Sequence, residues 1–402
     1  MSENRQFPAL CRWIENGPDE SWTLQVDLPA SSIPAEAAPE VGQEIFFDIN
    51  GVTDRRNVPG GIMVRRPAGD EGGDGADGAD ATRYSIELAV PRGYRGALRF
   101  LPVPRGLQVA DRPTWLDVLE RGFVPAGDHD LLTVTDMRRK QVLELAAPDA
   151  RPLVWTGGDA LTSNAVPGAG EGRSDVDEQV VTLGSAPRRI WTHRPQRGPA
   201  SAPVLVVFDG ERFIRGGLLA AIDELVAPPS AVIAVDHAPV GDDGPDEDAV
   251  VGQRADDLVM NSRFCDDVLA LVRRTAPVST STIVAGASYG GLAAAYFSLR
   301  HPEAFRGICL SPSFWESDDQ GRRIWDLSPS GVDGKPGGTA GEPESRESEA
   351  RTATAARPTF SVDHGILETV IADSVAEATE EFAARGIDFA PRPFMGGHEY
   401  LW

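Results

Sequence analysis

The segment Gly286-Ala287-Ser288-Tyr289-Gly290-Gly291 carries the G-x-S-x-G spacing of a nucleophile elbow. In that arrangement a serine sits at a sharp turn between a strand and a helix. The flanking glycines let the two elements approach closely, and the hydroxyl stands exposed above the sheet. The helix N-terminus favours negative charge beside it. A G-x-S-x-G match alone says little in a chain with 42 glycines, so the context decides. The apolar run at 282–285 reads as the incoming strand, and the alanine-rich segment 292–300 reads as the outgoing helix. Ser288 is therefore expected to be a nucleophile for acyl transfer.

Such a serine needs a base and an acid, which follow it in the order serine, acid, histidine. Three histidines follow Ser288. His301 lies in His-Pro-Glu at the end of the elbow helix, a surface corner. His364 ends a strand, upstream of the expected acid. His398 lies in the glycine loop Gly396-Gly397-His398-Glu399, after an apparent strand over 388–394. Only His398 has both the order and the loop setting, and it is read as the base. The acid should follow the strand at 359–363. Glu368 is favoured, with Asp363 and Asp373 as rivals; its task is to orient the imidazole and stabilise the imidazolium. An oxyanion hole needs backbone donors. Tyr289 supplies one N–H, and the turn Asp209-Gly210-Glu211, after the apolar run VLVVF, makes Gly210 and Glu211 the candidates for the second.

These residues require a scaffold of alternating strands and helices. Strands are expected at 190–193, 204–208, 231–235, 282–285, 307–310 and 359–363. Helices are expected at 218–225, 264–274 and 292–300. That alternation implies a mostly parallel sheet covered on both faces. Upstream the pattern differs. From about 20 to 155, short alternating segments such as 83–90, 44–49 and 97–101 are punctuated by Gly, Pro and Asp, with one helix near 113–121. They suggest a small β-sandwich. The expected fold class is thus α/β: an α/β-hydrolase catalytic domain over 178–402, preceded by a β-sandwich domain over 1–163 and a linker over 164–177. The acidic glycine-rich stretch 69–80 and the insertion 326–357 are too polar to pack and are expected to be disordered.

The bulk composition narrows the partners. A chain of 402 residues suits two domains, and its formal net charge of −23 argues against nucleic acid or an anionic membrane surface. No apolar run is long enough to span a bilayer. Cys11, Cys265 and Cys309 form no Cys-x-x-Cys pair, so neither a disulfide framework nor a zinc site is expected. The N-terminus lacks a basic stretch followed by an apolar run, so a secretory leader is not expected and the cytoplasm is the default compartment.

With these motifs in place, the chain resembles the enterochelin (enterobactin) esterases, cytoplasmic enzymes that cut ferric catecholate siderophores. The likeness rests on residues 204–211 (VLVVFDGE), 254–261 (RADDLVMN) with Phe264, the elbow, Gly365-x-x-Glu368 and Gly396-Gly-His-Glu399. In the N-terminal domain it rests on 49–54 (INGVTD) and on Tyr94-Arg-Gly96. The resemblance implies a triad of Ser288, Glu368 and His398, and an Arg254 that contacts the anionic catecholate or iron-chelate part of the substrate. A permanent guanidinium fork suits oxygen anions. The rival reading of Arg254 is a surface salt bridge to Asp256 or Asp257. No cofactor is implied, because iron arrives with the siderophore, a small-molecule partner. Two features depart from the family pattern: the chain stops at Trp402, soon after the Gly-Gly-His loop, and the insertion at 326–357 replaces a region that can shape the substrate side. An esterase or acyltransferase for other aryl or acyl esters, or a non-catalytic siderophore-binding protein, are the alternative readings.

Overall fold

The computed structural model describes residues 10–17, 20–66, 82–126, 131, 133–135, 141–150, 176–215, 217–237, 247–277, 281–327, 358–387, 389 and 391–398. The N-terminal part is built from β1 (Cys11–Glu15), β2 (Trp22–Pro29), β3 (Gln43–Ile49), β4 (Val64–Arg66), β5 (Arg83–Val90), β6 (Arg95–Pro104), α1 (Arg112–Glu120), β7 (Thr133–Thr135) and β8 (Gln141–Ala146). They form two four-stranded sheets, ordered β1-β2-β5-β4 and β3-β6-β8-β7. Alternation drives the packing. Leu24, Val26 and Leu28 from one sheet meet Ile45, Phe47, Ile49, Leu98, Phe100 and Leu145 from the other in one core. This is the β-sandwich read from the period-2 pattern. Strand β3 breaks the alternation because it is covered on both faces. Phe46 points away from the sandwich core and packs edge-on against Trp115 of α1, with ring centroids 5.9 Å apart. Asp111 caps α1 by accepting from the Thr114 N–H at 2.8 Å.

The second part contains β9 (Val176–Leu183), β10 (Ala186–His193), β11 (Val204–Phe208), α2 (Gly210–Arg215), α3 (Leu218–Glu224), β12 (Ala231–Val235), α4 (Glu247–Leu258), α5 (Ser262–Thr275), β13 (Thr282–Ala287), α6 (Tyr289–Arg300), β14 (Phe305–Leu310), β15 (Phe360–Gly365), α7 (Thr369–Ala384) and β16 (Pro391–Phe394). One eight-stranded sheet runs β16-β15-β14-β13-β11-β12-β10-β9. Its pairs from β16 to β12 are parallel, and the β12–β10 and β10–β9 pairs are antiparallel. Both faces are covered: α5, α6 and α7 pack on one, and α2 and α3 on the other. That is why β12 (AVIAV) is apolar and buried at every position. This is the α/β-hydrolase architecture that the alternating pattern implied.

Two boundaries differ from expectation. Strand β9 starts at Val176, inside the stretch assigned to the linker. It is an edge strand with residues 177–180 exposed, so its sequence shows little apolar signal. Among the described residues the strand expected over 388–394 is paired over Pro391–Phe394 and not at 389, while 388 and 390 lie outside them. The loop at 69–80, most of the linker (164–175) and most of the insertion (328–357) lie outside the described residues. The two parts meet where Leu367 and Met395 of the second pack against the sandwich core of the first, and the Arg95 N–H donates to the Met395 carbonyl at 3.0 Å.

Candidate active site

In a parallel sheet the carboxyl ends of all strands open on one edge, and ligand sites form there. Among the described residues, four non-glycine residues have positive φ: Asp209 (56°), Met260 (53°), Ser288 (57°) and Ser311 (43°). Three of them directly follow β11, β13 and β14, which are neighbours in the sheet. Backbone of this kind costs on the order of 1–3 kcal/mol per residue and persists where the surroundings over-determine it.

Ser288 sits between β13 and α6 with φ 57° and ψ −117°, the strained turn expected of an elbow. Its N–H donates to the Leu310 carbonyl at 2.9 Å, and its carbonyl accepts from Leu292 and Ser313 at 3.0 and 3.2 Å. The glycines serve the close approach. A Cβ on Gly286 would lie 2.6 Å from the Gly290 carbonyl carbon, and one on Gly291 would lie 3.0 Å from the Leu310 oxygen. The Ser288 Oγ stands 3.1 Å from the Ser313 Oγ.

Two strands further along the same edge, β15 and β16 deliver Glu368 and His398. His398 Nδ1 and Glu368 Oε2 are 2.8 Å apart. The carboxylate is fixed from the other side, where Oε1 accepts from the Ser311 hydroxyl at 2.7 Å and from the Gly365 N–H at 3.0 Å. The Glu368 side chain is 3% exposed and that of His398 is 37% exposed, so the acid is buried and the imidazole reaches the open side. The two loops are tied together: the Ile366 N–H donates to the Phe394 carbonyl at 3.0 Å, and the Leu367 N–H donates to the Gly396 carbonyl at 3.1 Å. The rival Asp363 is taken by Arg392 at 2.6 Å, and the rival Asp373 lies within α7. His301 pairs with Asp266 at 2.8 Å at the far end of α6, and His364 is buried, which pushes its basicity down.

The oxyanion candidates open two helices at the ends of adjacent strands. Gly210 and Glu211 begin α2 after β11, and Tyr289 begins α6 after Ser288. A side chain on Gly210 would strike the backbone of Ala234 and Val235 at 2.7 and 2.8 Å, so the chain can make this turn only with a glycine.

Arg254 lies on α4, beneath these turns. Nε and Nη2 donate to the two oxygens of Asp209 at 2.6 and 2.8 Å, and Nη2 also reaches the Ala287 carbonyl at 3.1 Å. The guanidinium stacks over the Tyr289 ring, 5.2 Å from its centroid. Burial works to raise the Asp209 carboxyl, and the Arg254 guanidinium outweighs it, holding the group at about 2. Neither Asp256 nor Asp257 is the partner of Arg254. Asp257 is held in a buried fork by Arg188 at 2.6 and 2.8 Å and contacts His237 Nδ1 at 2.8 Å.

The sequence reading missed Ser311 and Ser313. Both lie in Ser311-Pro312-Ser313, directly after the apolar strand that follows the elbow unit, and that position was the available signal. Cys265, Asp266 and His301 form the one described cluster with metal-like spacing. There Asp266 is held by Arg300 through both oxygens, at 2.9 and 2.8 Å, and the adjacent positive charge opposes a cation.

A serine on a strained strand-to-helix turn, with a histidine and a buried carboxylate joined at the same sheet edge, defines a protein of the α/β-hydrolase fold. Residues 188–355 match the esterase family model described as "Putative esterase". The chain is 26% identical over 298 residues to the iron(III) enterobactin esterase of Dickeya dadantii (strain 3937), covering 68% of this chain and 62% of that protein. The alignment thus spans about three fifths of that relative's length. The enterobactin esterase of Shigella flexneri, crystallised in the presence of 2,3-dihydroxy-N-benzoyl-serine, superposes with a TM-score of 0.63 at 20% identity, covering 98% of this chain and 93% of that one. The ferric enterobactin esterase of Salmonella typhimurium gives a TM-score of 0.62 at 18% identity, over 97% and 92%. The resemblance to the enterobactin esterases read from its motifs is thus borne out.

Proposed function

We propose that the protein is a serine esterase that opens ester bonds of a ferric catecholate siderophore, a trilactone of the enterobactin kind, and so releases iron in the cytoplasm. The observation that carries the mechanism is the 2.8 Å contact between His398 Nδ1 and Glu368 Oε2 on the same sheet edge as the strained Ser288 elbow. The substrate class rests on the esterases to which the chain is similar.

Ser288 Oγ attacks the ester carbonyl while His398 accepts its proton. With Nδ1 turned to Glu368, the proton goes to Nε2. The developing imidazolium is stabilised by a carboxylate that Ser311 and Gly365 hold in place. The tetrahedral oxyanion is met by the N–H of Tyr289 and by that of Gly210 or Glu211. The alcohol leaves with the proton from His398. Water, deprotonated by the same histidine, then releases the acyl group and restores Ser288. The reaction needs no group beyond these side chains, and iron enters as part of the substrate.

The deciding experiment is mass spectrometry of products after incubation with ferric and iron-free catecholate siderophores. Linear catechol-serine fragments are expected. Turnover of neutral aryl esters alone would move the protein to another esterase class, and binding without turnover would make it a siderophore-binding protein.

A further inference from the structure

The contact between the domains falls on the two loops that carry Glu368 and His398, and its polar centre is Asn50. The Asn50 side chain comes from the turn after β3. Its Nδ2 donates to the backbone carbonyl of His398 at 2.7 Å. Asn50 is itself immobilised by its own domain. Its N–H donates to the Ala97 carbonyl at 3.2 Å, and its carbonyl accepts from the hydroxyl of the fully buried Tyr94 at 2.7 Å. Thr53 closes the turn, its hydroxyl accepting from the Ile49 N–H at 2.8 Å.

The fit around that bond leaves no slack. Gly51 has φ +78°, and a Cβ there would lie 2.7 Å from the Leu367 Cβ. A Cβ on Gly397 would lie 2.6 Å from the Asn50 Oδ1. The Arg95 N–H anchors the carbonyl of Met395, three residues before the base. Leu367 and Met395, which flank the acid and the base, pack against the sandwich core. The base loop therefore has one wall in the catalytic domain and one in the N-terminal domain.

We propose that the N-terminal domain is part of the catalytic apparatus, with Asn50 as a positioning residue that fixes the His398 loop through its carbonyl. The proposal rests on His398 being the base. A sub-ångström displacement of a reacting group lowers the rate without altering binding, so Asn50 acts on kcat. Its role is independent of the substrate's charge or iron content, because it touches only the backbone of the base loop.

The test uses the full chain and two variants. Asn50→Ala removes the donor. Asn50→Asp keeps the shape but presents an acceptor to the His398 carbonyl. Both are expected to lower kcat about tenfold on a neutral chromogenic ester, with KM within about twofold. Both should speed amide hydrogen exchange in the segment 395–398 with little change in the melting temperature. In a His398→Ala background, Asn50→Asp should have no further effect on residual turnover, since a residue acting through another shows no independent contribution. Wild-type kcat and wild-type exchange in Asn50→Asp would overturn the proposal. So would a rate loss that vanishes at lower temperature, where the variant is fully folded. Undiminished activity in His398→Ala would instead defeat the serine mechanism, and the exchange measurement would still report on the contact.

Discussion

Arg254 holds both carboxylate oxygens of Asp209, at 2.6 and 2.8 Å, directly below the turn that opens α2. The same guanidinium reaches the carbonyl of Ala287, the residue before Ser288. One cation thus links two of the strained turns at the site. On this reading Arg254→Ala reduces turnover of an anionic ferric catecholate and of a neutral ester by similar factors, because the turns relax whatever the substrate. Steady-state kinetics on the two substrates decide it. A loss at least tenfold larger on the anionic substrate would return Arg254 to a direct substrate contact.

The pair also sets an acid limit. The Asp209 carboxyl is held at about 2, below its usual value near 3.8, so the folded state binds its proton less readily than the unfolded chain. Its stabilisation is complete above about pH 4 and is lost as the pH falls toward 2. At neutral pH it amounts to roughly 2–3 kcal/mol. Asp209→Asn should therefore lower stability at pH 7, and the gap from wild type should shrink between pH 4 and pH 2. Denaturant melts across that range measure it, and a gap independent of pH would contradict the assignment.

Removal of the triad hydroxyl in Ser288→Ala should cut ester turnover by several orders of magnitude with the fold intact. Glu368→Gln should cost less than His398→Ala, because the acid orients and stabilises the base without taking the proton. Ser311→Ala, which removes one of the two donors to Glu368 Oε1, should fall between wild type and Glu368→Gln. A silent Glu368→Gln alongside a severe Asp363→Asn would reassign the acid.

Deeper in the catalytic domain, Arg188 and Asp257 form a fork with side chains 2% and 3% exposed. The loss of one partner strands a buried charge and typically costs 3–5 kcal/mol. Asp257→Ala should lower stability by about that amount, as read by chemical denaturation. Asp256→Ala, one residue away and exposed, should change it by less than about 0.5 kcal/mol.

What the sequence made legible follows from where its constraints are local. The elbow could be read because strand, turn and helix are contiguous and the glycines answer to contacts within a few residues. Glu368 and His398 stand out by chain order and loop setting, and the fold brings their side chains to 2.8 Å. Arg254 was visible as a residue but not as a partner, since Asp209 lies 45 positions away and only the sheet brings them together. Asn50 stands in the motif at 49–54 with no visible partner, because its bond to His398 spans 348 positions. Strand β9 was missed because an edge strand with four successive exposed residues carries no alternation to read.

Strand β16 leads to the His398 loop and is also the outer rim of the large sheet among the described residues. A rim with open N–H groups invites a foreign strand to extend the sheet. Two of the four residues of β16 are prolines, Pro391 and Pro393, which have no N–H to offer, and Arg392 between them carries a charge. The strand that leads to His398 is thereby poorly suited to recruiting another chain. Arg392 and Pro393 can thus stand exposed to solvent without making this rim a seed for aggregation.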